Sequence, residues 1–116
     1  MKILCVEDET IIFLGMESDL KRMGHQVDRK INCKETLQYL QHQKVDAIML
    51  DVGLDGDIDG IETAKLINEK YSIPIIFVTG SIEKVQDLKI PNVIGCIVKP
   101  TSFIKMKTIL DSYEKK

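Results

Sequence analysis

Short apolar runs and longer amphipathic stretches alternate along the chain. "KILCV" (Lys2–Val6) is too brief for a helix and reads as a buried strand. From Thr10 to Met23, the residues Ile12, Met16, Leu20 and Met23 fall on one helical face, and Gly24 stands where a helix stops. Val27, Arg29 and Ile31 leave room for a second short strand. Asn32 with Glu35 three positions later reads as a capping box, and Cys33, Leu37 and Leu40 supply the apolar stripe of the helix it starts. "VDAIML" (Val45–Leu50) predicts a third strand, and Ile61, Ala64 and Ile67 mark a third helix. "IPIIFV" (Ile73–Val78) predicts a fourth strand, with its proline at the start, where no ladder donor is needed. A short helical piece over Ile82 to Leu88 leads through Pro91 to "VIGCIV" (Val93–Val98), the fifth strand. Phe103, Met106, Leu110 and Tyr113 then stripe a last helix.

Strand and helix alternating in this way predict a parallel sheet with helices on both faces. In such open sheets ligands sit beyond the carboxyl ends of the strands, near the point where strand order reverses. Glu7 and Asp8 follow the first strand, Asp51 the third, Thr79 the fourth and Lys99 the fifth. With a strand order of 2-1-3-4-5, Glu7, Asp8 and Asp51 converge at the reversal. Carboxylates that close repel one another unless a cation joins them, and a hard oxygen cage with open positions suits Mg²⁺. A carboxylate nucleophile, a divalent cation, a hydroxyl and a compact ammonium group together make a site for phosphoryl transfer.

Composition narrows the setting. A chain of 116 residues with 44% hydrophobic and 29% charged residues is one ordinary globular domain, 1–116. Sixteen basic residues against eighteen acidic ones give a net charge of −2, without the basic footprint that nucleic acid or an anionic membrane would need. "MKILCVEDE" meets acids too soon for a signal peptide, and no apolar run approaches a membrane span. Three cysteines at unrelated spacings fit reduced thiols, so a cytoplasmic location is expected.

The motifs "VEDE", "IMLDVGLDGDIDGIE", "IIFVTGS" and "VIGCIVKPTS", in that order, resemble the receiver domain of two-component response regulators, the CheY-like family, over essentially the whole chain. The resemblance implies a flavodoxin-like (βα)5 three-layer sandwich with a five-stranded parallel sheet. It makes Asp51 the phosphoacceptor, Asp8 a direct Mg²⁺ ligand, Glu7 an outer ligand acting through water, and the Gly53 carbonyl a backbone ligand. Thr79 and Lys99 become the phosphoryl contacts, with the backbone N–H groups of Gly53 and Gly80 beside them, and the Lys99–Pro100 bond is expected to be cis. The implied partners are a sensor histidine kinase or phosphotransfer protein, which needs a docking surface near the first helix, and an output protein, with a homodimer left open. No nucleic acid or membrane partner is expected. Phosphorylation of its own aspartate and slow self-dephosphorylation are expected, not turnover on a free substrate. The last helix ends near residue 116, so a single-domain regulator or a piece of a longer protein is expected, without an output domain of its own.

Four aspartates stand within "LDVGLDGDIDG" (Leu50–Gly60), and competing readings of them fail on spacing. A calcium loop counted from Asp55 has Gly60 at its sixth position but Leu66 at its twelfth, where a bidentate glutamate is required. Dehalogenase-type phosphatases require a second aspartate two residues after the nucleophile, and Gly53 occupies that place. Asp59 is better suited to cap the third helix, leaving Asp55 and Asp57 as solvated loop acids. A phosphate-independent interaction module is the alternative function, against which the intact set of Asp8, Asp51, Thr79 and Lys99 speaks. Cys5 and Cys96 are expected in the core, Cys33 partly exposed, His25 and His42 at the surface or a helix end, and Lys105, Lys107, Lys115 and Lys116 on the solvated side of the last helix. Many receivers carry an aromatic residue where this chain has Cys96, and the segment from Thr79 to Lys99 is short for the family, so the fourth helix should be trimmed.

Overall fold

The computed structural model describes residues 1–54 and 56–114; Asp55, Lys115 and Lys116, assigned above to a loop and to the solvated end of the last helix, lie outside the described residues. The elements run β1 (Lys2–Val6), α1 (Thr10–Arg22), β2 (Gln26–Lys30), α2 (Cys33–Leu40), β3 (Ala47–Asp51), α3 (Gly60–Asn68), β4 (Ile75–Thr79), a 3₁₀ turn (Ile82–Lys84), β5 (Val93–Val98) and α4 (Phe103–Glu114). All strand pairs are parallel, and the five strands stand in the order β2-β1-β3-β4-β5. This is the flavodoxin-like α/β fold.

Parallel strands covered on both faces read as unbroken apolar runs, because alternate side chains enter two different cores. On one face Ile3, Cys5, Met49 and Ile76 pack with Phe13, Met16 and Leu20 of α1 and with Met106 and Leu110 of α4. On the other, Leu4, Val6, Ile48 and Phe77 pack with Leu40 of α2 and Ala64 and Ile67 of α3. The helix faces are rotated slightly from the predicted stripes: Phe13 enters the core fully while Ile12 packs only partly against it, and Tyr113 stays 39% exposed. Among the described residues no helix is long and apolar enough to cross a membrane.

Local signals act where the sequence places them. Gly24 takes φ 95° just past α1, a left-handed conformation that glycine adopts without Cβ strain. Asn32 Oδ1 accepts the Glu35 N–H at 2.9 Å, and Glu35 Oε1 accepts the N–H of Ile31, one residue before the cap. Asp59 Oδ1 accepts the Glu62 N–H at 2.9 Å and so caps α3. The Lys99–Pro100 bond is cis.

Two expectations change. The predicted helical piece Ile82–Leu88 is only the 3₁₀ turn Ile82–Lys84, so among the described residues the sheet carries four helices. A helix gains most of its stability by burying an apolar face, and here Val85 alone is buried while Ile82 and Leu88 are 39% and 42% exposed. Cys33, expected partly exposed, is buried at the start of α2, because the first turn of that short helix faces the core. Cys5 is buried and Cys96 half-buried, and burial pushes both thiols up, away from thiolate chemistry.

Candidate functional site

Of the five parallel strands that end at one edge of the sheet, four carry the predicted residues, and their registers bring these ends side by side. Val6 pairs with Leu50, Asp51 with Val78, and Thr79 with Val98. Asp51 and Thr79 are the last residues of β3 and β4, one step inside the sheet compared with the predicted strand ends. The ladder continues past them: the Val52 N–H donates to the Val78 carbonyl at 2.9 Å, and the Lys99 N–H to the Thr79 carbonyl at 2.8 Å. Glu7 and Asp8 follow β1, and Lys99 follows β5.

Carboxylate oxygens of Glu7, Asp8 and Asp51 all lie within 4.8 Å of one another. Lys99 Nζ reaches into the group, 3.2 Å from Asp51 Oδ2 and 3.3 Å from Glu7 Oε1. Asp51 Oδ1 accepts the Gly53 N–H at 2.9 Å, and Glu7 Oε2 accepts the Glu9 N–H at 3.2 Å. Glu7 is fully buried and Asp51 only 3% exposed. Asp8 is half-buried.

Glu7 and Asp51 share the Lys99 ammonium, and the electrostatics reflect this. Burial first, then the Asp51 carboxyl beside it, pushes Glu7 up to about 7. Burial on its own would lower the Lys99 ammonium, but Asp51 and then Glu7 outweigh it and hold Lys99 above its usual value. Glu7 Oε1 is inside ion-pair range of Lys99, yet it has no directed hydrogen-bond donor. A buried carboxylate oxygen without a donor, in an all-oxygen set with one half-buried member, fits a hard divalent cation that keeps part of its water. Mg²⁺ therefore fits the residues present.

The remaining candidates separate. The Thr79 hydroxyl reaches the edge but is committed to the Ser81 peptide, accepting its N–H at 3.1 Å and donating to its carbonyl at 3.0 Å. Gly53 and Gly80 are both exposed beside the cluster. Asp59 is engaged as a cap, and Asp57 is exposed along a groove of about 270 Å³ with Asn32, Cys33 and Lys34 and is not part of the acidic cluster. A larger cleft of about 490 Å³, between Leu40–Val45 and Lys70–Ile73, lies at the other end of the strands and is lined by no acid.

Gly60 is a contributor that sequence reasoning overlooked. A Cβ there would stand 2.0 Å from the Asp51 carbonyl oxygen, while the Gly60 N–H donates to the Val52 carbonyl at 3.0 Å. Only a residue without a side chain lets the start of α3 close over the backbone of Asp51. The Asp59-Gly60 pair ahead of an apolar stripe was the available signal, but it reads equally well as a simple cap.

The chain is similar to known proteins over most of its length. Residues 3–111 match the family model of the response regulator receiver domain. The chain is 38% identical over 78 residues to the transcriptional regulatory protein AfsQ1 of Streptomyces coelicolor, covering 67% of this chain and 34% of that protein. It is also 38% identical over 79 residues to the uncharacterized transcriptional regulatory protein YrkP of Bacillus subtilis, covering 68% and 33%. The matched segments thus span about a third of the length of these relatives. Among solved structures, the response regulator TrrA of Thermotoga maritima, in complex with Mg²⁺-BeF, superposes with a TM-score of 0.85 at 28% identity, over 96% of each chain.

Proposed function

The chain belongs to the response regulator receiver domain family, and from that premise we propose that it is a phosphorylation-dependent signalling switch that takes a phosphoryl group on Asp51 from the phosphohistidine of a partner kinase or phosphotransfer protein. The observation that carries this reading is the convergence of Glu7, Asp8, Asp51 and Lys99 at one sheet edge. An Asp51 carboxylate oxygen attacks phosphorus as the P–N bond to the donor imidazole breaks, and that electron pair returns to the ring nitrogen. The donor ring carries a proton on its other nitrogen, so it leaves as neutral imidazole and the products are an aspartyl phosphate and a neutral histidine on the partner.

The chain's own groups have separable tasks. The Gly53 N–H orients the Asp51 carboxyl through Oδ1, leaving Oδ2 on the Lys99 side. Lys99 is placed to follow the incoming phosphoryl oxygens with its positive charge. Glu7, Asp8 and Asp51 would hold Mg²⁺, with the Gly53 carbonyl as the backbone ligand that the family likeness implies. When bound, that ion would supply charge neutralisation for the transferring phosphoryl group. The Mg²⁺-BeF complex of TrrA supports this choice of ion. The Thr79 hydroxyl must leave the Ser81 peptide to reach a phosphoryl oxygen, which links the chemistry to the Gly80–Ser81 loop. A phosphate-independent interaction module has no support in the site, since such a module has no use for this set of acids and lysine. AfsQ1 and YrkP are named as regulators of transcription; by that kinship the present chain would be the input half of such a regulator, changing its own aspartate and not turning over a free substrate.

Intact-mass measurement after incubation with a small phosphodonor and Mg²⁺ tests the reading. One base-labile phosphoryl adduct is expected, lost in Asp51→Asn. Stoichiometric labelling of Asp51→Asn would overturn the assignment of the acceptor, and an unlabelled wild type would overturn the switch.

A further inference from the structure

The peptide that joins Glu7 to Asp8 lies just past the end of β1 at Val6. The peptide before it is still held by β2, since the Glu7 N–H donates to the Lys30 carbonyl at 3.0 Å. The Glu7–Asp8 peptide itself is held by a side chain of the same strand: Arg29 Nε donates to the Glu7 carbonyl at 2.9 Å. Arg29 pairs across the strands with Cys5, two residues before Glu7. Its guanidinium lies over the ring of Phe13, 5.0 Å from the centroid, and Phe13 is buried in the core of α1. The backbone carrying both acids is therefore clamped by the main chain and by one side chain of β2, and α1 fixes the direction of that side chain.

We propose that Arg29 is a positioning residue for the cation and phosphoryl site, holding the Glu7–Asp8 peptide so that both carboxylates face Asp51; this rests on the phosphoacceptor reading given above. Guanidinium suits the task because it is planar, always charged and weakly hydrated, and it can stack on a ring while donating a directed hydrogen bond. A lysine would keep the charge but lose the planar stacking. Groups that orient metal ligands without touching the metal typically contribute about 10–100-fold in affinity. With Glu7 also held by the sheet and by the Glu9 N–H, the lower end of that range is expected.

The test uses Arg29→Met, which fills similar space without a donor, and Arg29→Lys, which keeps the charge. Mg²⁺ alone is titrated by calorimetry, and amide spectra and thermal unfolding of the metal-free variants monitor the fold. Arg29→Met should bind Mg²⁺ about tenfold more weakly, with Arg29→Lys in between. Labelling by a small phosphodonor should be slowed at low Mg²⁺ and return to within about threefold of wild type at saturation, as a loss of ligand positioning requires. Arg29→Met affinity within about twofold of wild type, while Asp8→Ala abolishes binding, overturns the proposal even if the unfolding midpoint falls, because that pattern is merely structural. Wild type that takes up no Mg²⁺ would instead bring down the phosphoacceptor reading, and this proposal with it.

Discussion

A carboxyl wholly removed from water, as Glu7 is, keeps its charge only where partners repay its lost hydration. Glu7 has the Glu9 N–H on one oxygen and a share of Lys99 on the other, and Asp51 competes for the same ammonium. Its titration point is consequently raised from the ordinary 4.5 to about 7. A folded state that holds a proton the unfolded chain has released loses stability as pH rises through that window. The contribution is fully present below about pH 4.5 and is gone above about pH 7. In the metal-free protein, urea unfolding at about pH 5 and about pH 8 should differ by roughly 3 kcal/mol on this account, with the lower pH the more stable. Glu7→Gln, neutral at both, should flatten the difference. A pH slope unchanged in Glu7→Gln would mean that another group carries it.

At the scale of elements, the proposed switch should act through the β4 end and the turn that follows. Thr79 is 2% exposed, and its hydroxyl holds both the N–H and the carbonyl of Ser81. The connection beyond contains only a 3₁₀ turn with no buried side chain and, just after it, one buried residue, Val85, so little packing resists its displacement. Cys96, opposite Phe77 in the β4–β5 ladder, is small and half-buried and cannot sweep the volume of an aromatic ring. A phosphoryl group that draws the Thr79 hydroxyl should therefore move the Gly80 and Ser81 backbone and leave strand five nearly still. Amide chemical shifts with and without beryllofluoride check this: the largest changes are expected at Gly80 and Ser81, with small ones at Cys96. Large shifts at Cys96 with a quiet Gly80–Ser81 loop would overturn this expectation.

For the whole molecule, the depth of the proposed acceptor sets the terms of encounter. Asp51 is 3% exposed and lies at the carboxyl edge of the sheet, so under the proposed function a donor histidine on another protein would approach over the rim of that edge. Two apolar side chains stand out on the rim: Ile11 in the first turn of α1 at 86% exposure and Ile104 in the first turn of α4 at 74%. Apolar anchors at a protein contact carry most of its binding energy, whereas a small phosphodonor needs no such contact. Ile11→Asp should slow transfer from a phosphorylated partner by about tenfold or more, and should leave labelling by a small phosphodonor within about twofold of wild type. Stopped-time labelling with each donor measures both rates. Equal slowing with both would place the effect in the acid site and not in docking.

Periodicity and strand-end order are one-dimensional properties, and the sequence alone determined what depends on them. Alternating apolar runs and helical stripes specified the parallel sheet. Gly24, Asn32 and Asp59 specified their local caps, because each acts on backbone groups within a few residues. The positions following each strand specified which acids, hydroxyl and lysine share an edge once the order β2-β1-β3-β4-β5 is adopted. Tertiary structure alone decided contacts between residues brought together across loops and from distant elements. Register and packing set Lys99 between Glu7 and Asp51, drew Arg29 onto the Glu7 carbonyl, and brought Gly60 against the Asp51 backbone. The same packing reduced Ile82–Leu88 to a single 3₁₀ turn and enclosed Cys33, since whether a helical face is covered depends on the neighbour opposite it and not on its own periodicity.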